Sequence, residues 1–327
     1  MASDAKEFLG IEIGGTKLQV VVGQPGCISE RKKFVVNAGA GGEGIRSQIS
    51  SVLPELMSKY APAAIGVGFG GPVDWVTGRI CCSHQITGWS DFSLAEWLTA
   101  ESGLPTQVDN DANVAAWAES LHGAGAGFNP VFYVTLGSGV GGGLVVDGKI
   151  FHGATRGEAE IGHVRIDRNG TNLESLCSGW AVDQRIRGAR ANRPESILFK
   201  LIGSETKGES RHLAAAWARH DALAKEILQE TAQNLAFAFS HVVHLLHPQI
   251  IVLGGGLSLI GEPLRVAVAE ALPPNLMKAF QPGPRIELAS LKEDAVPIGA
   301  LLLAAQAHAQ PKRSASPRKA KATLVKI

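Results

Sequence analysis

The sequence predicts an α/β protein built from two related domains. Three observations carry this. The chain has 327 residues, which at about 100–200 residues per domain is room for two. A strand–glycine turn–strand unit occurs twice, over 8–22 and 131–150, about 120 residues apart, as an internal duplication would place it. Short apolar strands alternate with helical segments along the rest of the chain.

Taken in order, residues 8–22 (FLGIEIGGTKLQVVV) are apolar on both sides of Gly14-Gly15 and read as two strands joined by a turn. AIGVGF over 64–69 is a third strand, broken by Gly70-Gly71-Pro72. Residues 92–101 read as a helix. A short strand over 106–108 leads to Asp109-Asn110-Asp111, good helix caps, and 112–121 continues as an amphipathic helix. Residues 131–150 repeat the opening theme and close on an Asp147-Gly148 hairpin. An Ala/Leu-rich stretch over 212–247 has helical periodicity and stops before Pro248. QIIVL over 249–253 is a buried type of strand, followed by Gly254-Gly255-Gly256. A helix over 262–272, a strand over 285–289 and an apolar helix over 297–308 complete the body.

Composition narrows the function classes. Hydrophobic residues make up 45% and charged ones 19%, enough apolar material to exclude a disordered chain. Glycine is in excess, 39 residues or about 12% against a usual ~7%, without the repeat of collagen. Its clusters mark tight turns of the kind that approach a ligand. The net charge of +1 excludes bulk electrostatic attraction to nucleic acid. The tail 311–327 concentrates Lys312, Arg313, Arg318, Lys319, Lys321 and Lys326 without an acid. It is expected to be a disordered, solvated extension that binds neither nucleic acid nor membrane. Four cysteines with no CxxC pair, no signal pattern at the N-terminus and no apolar run of ~18 residues predict a cytoplasmic protein.

Three glycine clusters could cradle phosphate through backbone N–H groups: Gly14-Gly15-Thr16-Lys17, Gly137-Ser138-Gly139-Val140-Gly141-Gly142 and Gly254-Gly255-Gly256. Taken singly, a glycine turn reads better as a plain hairpin. As a pair, the two strand–turn–strand units could clamp the phosphates of a nucleotide between two lobes. Gly66-x-Gly68-x-x-Gly71 and Gly137-x-Gly139-x-x-Gly142 fit GxGxxG, but neither leads into a predicted helix, so neither is a dinucleotide fingerprint. Asp109-Asn110-Asp111 could supply a general base for a substrate hydroxyl, or merely cap a helix. Glu160 and His163, three residues apart, could read the hydroxyls of a polar ligand. His241, His244 and His247 turn through ~600° of helix, so the three share no face and predict no metal site.

In their order and approximate spacing these motifs resemble the ROK sugar kinases of the sugar kinase/heat-shock protein/actin superfamily, from about Phe8 to Ala309. Residues 10–17 look like the family's first phosphate motif and Gly71-Pro72-Val73-Asp74 like its sugar loop. Asp109 to Asn113, with Glu119, look like the catalytic segment. Thr135 to Gly143 look like the second phosphate motif, Glu160 to His163 like the sugar-reading motif, and Leu253 to Gly256 like the adenosine motif.

The resemblance implies two actin-like (ribonuclease H-like) α/β domains with a cleft between them. The small domain would comprise 6–118 with 296–310, and the large one 119–295. Asp111 would be the catalytic base. Gly71, Asn110, Glu160, His163 and Glu174 would bind the sugar. Gly14, Gly15, Thr16, Lys17, Gly137, Ser138, Gly139 and Gly255 would surround ATP, with Mg²⁺ accompanying it near Glu12. The expected protein is a homodimeric, ATP-dependent hexose kinase, with glucose 6-phosphate as its product. Rival readings within the family are an N-acetylhexosamine or fructose kinase and a polyphosphate-dependent glucokinase. A sugar-binding protein without catalysis is the rival outside it. A DNA-binding repressor is not expected, because the first phosphate motif begins about ten residues from Met1.

Four departures from the family pattern stand out. Glu12 replaces a usual Asp, Gly70 a usual Pro, and Gln85 a usual sugar-binding Asn. The CxCGxxGCxE zinc motif is missing: 164–176 contain no cysteine, and Cys177 follows Glu174. A structural zinc needs four ligands, so no zinc is expected.

Overall fold

The structure is a computed structural model that describes residues 6–83, 86–154 and 159–309. Its first sheet is built from β1 (Phe8–Ile13), β2 (Lys17–Gln24), β3 (Cys27–Val35), β4 (Ile65–Phe69) and the later β8 (Thr106–Asn110), in the order β3-β2-β1-β4-β8. Between β3 and β4 runs α1 (Gly41–Tyr60). Between β4 and β8 lie a small sheet of β5 (Val73–Asp74), β6 (Arg79–Ile80) and β7 (Phe92–Ser93), then α2 (Leu94–Ser102). After β8 comes α3 (Asp111–His122).

The second sheet takes β9 (Val131–Leu136), β10 (Val140–Val146), β11 (Lys149–Ile150), β12 (Ile250–Gly254) and β13 (Arg285–Leu288), in the order β11-β10-β9-β12-β13. Four helices follow β11: α4 (Leu173–Cys177), α5 (Gly179–Ala189), α6 (Ile197–Ile202) and α7 (Leu213–Trp217). Next come α8 (Ala222–Leu246), α9 (Glu262–Ala271, between β12 and β13) and, last in the chain, α10 (Ala295–Ala309).

The two sheets have one topology. In each, the first strand pairs antiparallel with the second and parallel with the fourth, and the fourth pairs parallel with the fifth. The duplication expected from the paired glycine turns is therefore a duplication of a whole sheet, and the α/β actin-like expectation holds. Each GxGxxG segment runs on into a strand, β5 or β10, and not into a helix.

Each sheet has its own core. Strands β1 and β4 are buried along their whole length, as strands covered on both faces must be. They pack with Ile45, Ile49, Leu53 and Leu56 of α1. The second core joins Phe132, Val134 and Leu253 to the inner face of α8, including Leu235 and Phe239. Helix α3 is the seam between them, with α10 of the first unit on one side and the second sheet on the other. Val114 packs with Ala300 and Leu303, and Ala115 and Ala116 turn to Val131 and Val145 of the second sheet. Gly143 of β10 brings the sheet so close to α3 that a Cβ there would stand 2.7 Å from the Ala112 carbonyl.

The 212–247 helix is corrected. It is two helices, because His220 adopts φ +58° and Asp221 caps a new start by accepting from the Ala224 N–H. The sequence reading missed β3, α1, the short strands β5 and β6, and the helices α4 to α6. Strand β3 is a partly exposed edge strand carrying Arg31, Lys32 and Lys33, so it lacks apolar alternation. Helix α1 begins in glycines and contains Pro54. No helix among the described residues is long and apolar enough to cross a membrane. The tail 311–327 lies outside the described residues.

Candidate active site

The candidate site forms where β8 passes into α3. Asn110 caps the helix, its side-chain oxygen accepting the Ala112 N–H at 2.7 Å and the Asn113 N–H at 3.2 Å. Its side-chain amide donates to the Gly71 carbonyl at 3.2 Å. Asn110 thus joins the sugar-loop candidate Gly71 to the helix start, and one amide hydrogen stays available to a ligand. Asp111 follows as the first residue of α3.

The first glycine turn lies directly opposite. A Cβ placed on Gly70 would stand 3.3 Å from Asp111 Oδ2, 3.4 Å from the Ile13 carbonyl and 3.5 Å from Gly14 Cα. The turn closes through a bond from the Gly14 N–H to the Lys17 carbonyl, 2.9 Å. Gly15 is half-buried and Thr16 exposed at its tip. Beneath it lies Glu12, which is 7% exposed. Lys17 Nζ pairs with Glu12 Oε1 at 2.9 Å, and Gln19 Nε2 donates to Oε2 at 2.6 Å. Burial raises the Glu12 pKa, against the pull of Lys17 and Gln19.

These surroundings tune Asp111. Burial, then the neighbouring charge of Glu12, push its pKa up to about 7, opposed by the Ala112 N–H and by Lys17. A carboxylate poised near neutrality suits proton abstraction from a hydroxyl.

The second glycine turn, Gly137 to Gly139, closes through the Gly137 N–H to the Gly139 carbonyl, 2.9 Å. The Gly137 carbonyl also accepts the Gly179 N–H at 2.7 Å. Glu174 reaches the turn from α4, Oε2 accepting the Val140 N–H at 2.9 Å. A Cβ on Gly139 would stand 2.5 Å from that oxygen, so only glycine admits the carboxylate. The Val140 carbonyl faces Gly162 with no room for a side chain between them. Glu160 and His163 flank Gly162, largely exposed and 3.9 Å apart; neither bonds to Asp111. Gly141 then sets β10 against the start of α3, its Cβ position 3.3 Å from Ala112 Cβ. The first turn thus lies beside Asp111, and the strand that leaves the second turn packs on the start of α3. Gly255 sits at φ +80° with its Cβ position 2.5 Å from the Leu136 N atom, so the third cluster abuts the strand that feeds the second turn.

Sequence reasoning missed Gln19, His152 and Trp75, and it placed Asp109 in the catalytic segment without a partner of its own. Gln19 is a wholly buried polar residue within the apolar run of β2, which was its one signal. Asp109 accepts from the Asn110 N–H and from Asn113 Nδ2, and lies 2.6 Å from His152 Nε2. Glu119 serves the seam. Wholly buried, it accepts from the Ala124 N–H at 2.8 Å and the Leu291 N–H at 2.8 Å.

Among the described residues no group of three or more His, Cys, Asp or Glu could hold a metal ion. Cys177 is a core side chain facing the Thr231 carbonyl, its thiol pushed up to about 12 by burial. His244 accepts the Met277 N–H, while His241 packs on Phe237 and His247 on Phe280. Gln85 lies outside the described residues.

Comparison with known proteins places this chain in a family. The ROK family model matches residues 8–307. A glucokinase of Halalkalibacterium halodurans is 31% identical over 307 residues, covering 89% of this chain and 93% of that one. A glucokinase of Thermotoga maritima is 29% identical over 307 residues, covering 90% and 96%. A ROK family glucokinase from Streptomyces griseus, solved in complex with glucose and AMPPNP, superposes with a TM-score of 0.82 at 28% identity, covering 92% of this chain and 99% of that one. The chain belongs to the ROK family.

Proposed function

We propose that this protein is an ATP-dependent hexose kinase that phosphorylates glucose to glucose 6-phosphate, with Asp111 as the general base. The observation that carries the reading is the place of Asp111. It stands at the helix start, beside the first glycine turn and under the strand that leaves the second, with a pKa near 7. The glucokinase relatives supply the substrate class.

In this reading Asp111 takes the proton of the sugar hydroxyl as its oxygen attacks the γ-phosphorus of ATP. The new O–P bond forms as the bond from γ-phosphorus to the β,γ-bridging oxygen breaks, and ADP leaves. Gly14 to Lys17 and Gly137 to Gly139 offer backbone N–H groups to the phosphates, and Gly255 lies toward the nucleoside. Asn110, Glu160, His163, Glu174 and the Gly71 backbone hold the sugar. The units expected over 6–118 with 296–310 and over 119–295, residue 310 lying outside the described residues, would close on it about α3, excluding water. The same reading, resting on the family resemblance, makes the protein a cytoplasmic homodimer.

The Mg²⁺ of Mg·ATP would neutralise charge on the phosphates. It takes oxygen ligands and keeps several waters. Glu12 is the acid of the first turn, but Lys17 and Gln19 engage both its oxygens. Glu12 would therefore hold the cation through water and not directly.

The test is ADP release from Mg·ATP with glucose, mannose, fructose, N-acetylglucosamine and N-acetylmannosamine. Glucose-dependent turnover that Asp111→Asn abolishes is the expected result. Another preferred sugar, or turnover with polyphosphate alone, would replace the substrate or the donor. No turnover with any pair would leave a binding protein.

A further inference from the structure

Asp111 has a neighbour two residues away that faces the other side of the β8–α3 junction. Asp109 is 2% exposed and its oxygens meet three donors. Oδ1 takes the Asn110 N–H at 2.7 Å and Asn113 Nδ2 at 3.1 Å. Oδ2 takes His152 Nε2 at 2.6 Å. The imidazole is in turn stacked on Trp75, with ring centroids 4.1 Å apart and planes 17° from parallel.

The origins of the three residues give the contact its meaning. Trp75 follows β5 at the end of the sugar loop, and Asp109 lies on the edge strand of the first sheet. His152 comes from the loop after β11, the edge strand of the second sheet. One imidazole of the second unit is thus held between two side chains of the first. The three residues also line a cavity of about 580 Å³, open to solvent and bounded further by Trp117, Gln306 and His308.

We propose that His152 is a positioning residue. It is a strut between the two units that fixes Asp109, and through Asp109 fixes the backbone of Asn110 and the aim of Asp111. This rests on the kinase reading of Asp111. A carboxylate with three convergent donors has little freedom, and its two Oδ1 bonds fall on the turn that carries Asn110 and Asp111. Trp75 holds the ring plane that the short bond requires. Removing the ring would let the Asp109 carboxylate turn and the helix start loosen. Loss of aim by about 1 Å can cost about a hundredfold in rate.

The experiment compares wild type with His152→Ala, His152→Gln and Asp109→Leu. It reads kcat and the sugar KM separately, with folding checked by circular dichroism and Tm. His152→Ala is expected to lose 10- to 100-fold in kcat with less than a threefold change in KM. Asp109→Leu should lose at least as much, and His152→Gln, which keeps a donor, should lose less. Because the truncated site opens on the cavity, added imidazole should restore at least fivefold of the kcat lost by His152→Ala. Trp75 emission should rise in His152→Ala, relative to a Trp75→Phe background, and fall again with imidazole. Equal kcat in wild type and a folded His152→Ala would overturn the proposal, as would a loss confined to KM or one that imidazole leaves unchanged. A wild type without sugar-dependent turnover would instead overturn the kinase reading. The emission change would then still report whether the strut forms.

Discussion

Lys17 Nζ lies 2.9 Å from Glu12 Oε1, so the lysine of the first glycine turn is held down on a buried carboxylate. With Gln19 on the other oxygen, Glu12 is saturated from both sides. Lys17→Met leaves that carboxylate buried beside one neutral donor, which raises its pKa further. A carboxyl whose pKa is raised by folding stabilises the fold while protonated, and that contribution is lost as pH rises. The variant is therefore expected to lose more stability at pH 8 than at pH 5. Thermal unfolding at both values checks this, and an equal loss would contradict it. The KM for ATP should also rise, because the turn loses its anchor.

If Asp111 is the general base, it should set the acid limb of the rate. It must be ionised to accept a proton, so log kcat/KM should climb with slope one below about pH 7 and level above it. Glu12→Gln removes the nearby charge that helps raise the Asp111 pKa, so this limb should move to lower pH. A limb that stays in place would show that burial alone sets it.

The same shift has a consequence for stability. From about pH 4 to about pH 7 the folded chain retains a proton on Asp111 that the unfolded chain releases, so stability falls as pH rises across that window. Asp111→Asn is expected to raise Tm at pH 8 by several degrees and to leave it nearly unchanged at pH 4, while activity drops by at least a thousandfold. Calorimetry at the two pH values decides it.

Much of this architecture was written in local patterns. The glycine turns announce themselves because each interrupts two strands whose apolar alternation is intact, and Asn110 announces a helix start because its oxygen can cap one. The neighbours of these residues were harder to read. Trp75, His152 and Asp109 are 34 to 77 residues apart in sequence, and no local pattern pairs an aromatic with an imidazole over that range. Helix α1 illustrates a different failure. Ile45, Ile49, Leu53 and Leu56 carry helical spacing, but Pro54 and the opening glycines mask it, and burial against the sheet overrides their propensity. Asp221 is a third kind. It can cap a helix as well as continue one, and the turn at His220 decides which.

Glu174 and Glu160 should separate kinetically. Glu174 holds the Val140 N–H at the foot of the second glycine turn, whereas Glu160 is largely exposed beside His163. Glu174→Ala strips that N–H of its partner and should raise KM for ATP as well as for the sugar. Glu160→Ala should raise only the sugar KM. Titrating each substrate at saturation of the other measures both, and an unchanged ATP KM in Glu174→Ala would confine Glu174 to the sugar.

Glu119 should matter to folding and not to chemistry. It is wholly buried at the far end of α3 from Asp111. Its two oxygens accept backbone N–H groups of Ala124 and of Leu291, just before α10. Ala124 and Leu291 are half-buried, so water can replace part of what the carboxylate supplies, and each lost bond costs about 1 kcal/mol. Glu119→Ala is thus expected to destabilise the protein by about 2 kcal/mol, which in a protein of this size lowers Tm by roughly 4–8 °C. Glu119→Gln keeps one acceptor oxygen and should recover part of the loss. Below the unfolding range, both variants should retain wild-type KM values for sugar and ATP. A normal Tm with impaired turnover would instead place Glu119 in the catalytic machinery, acting on Asp111 along the helix that joins them.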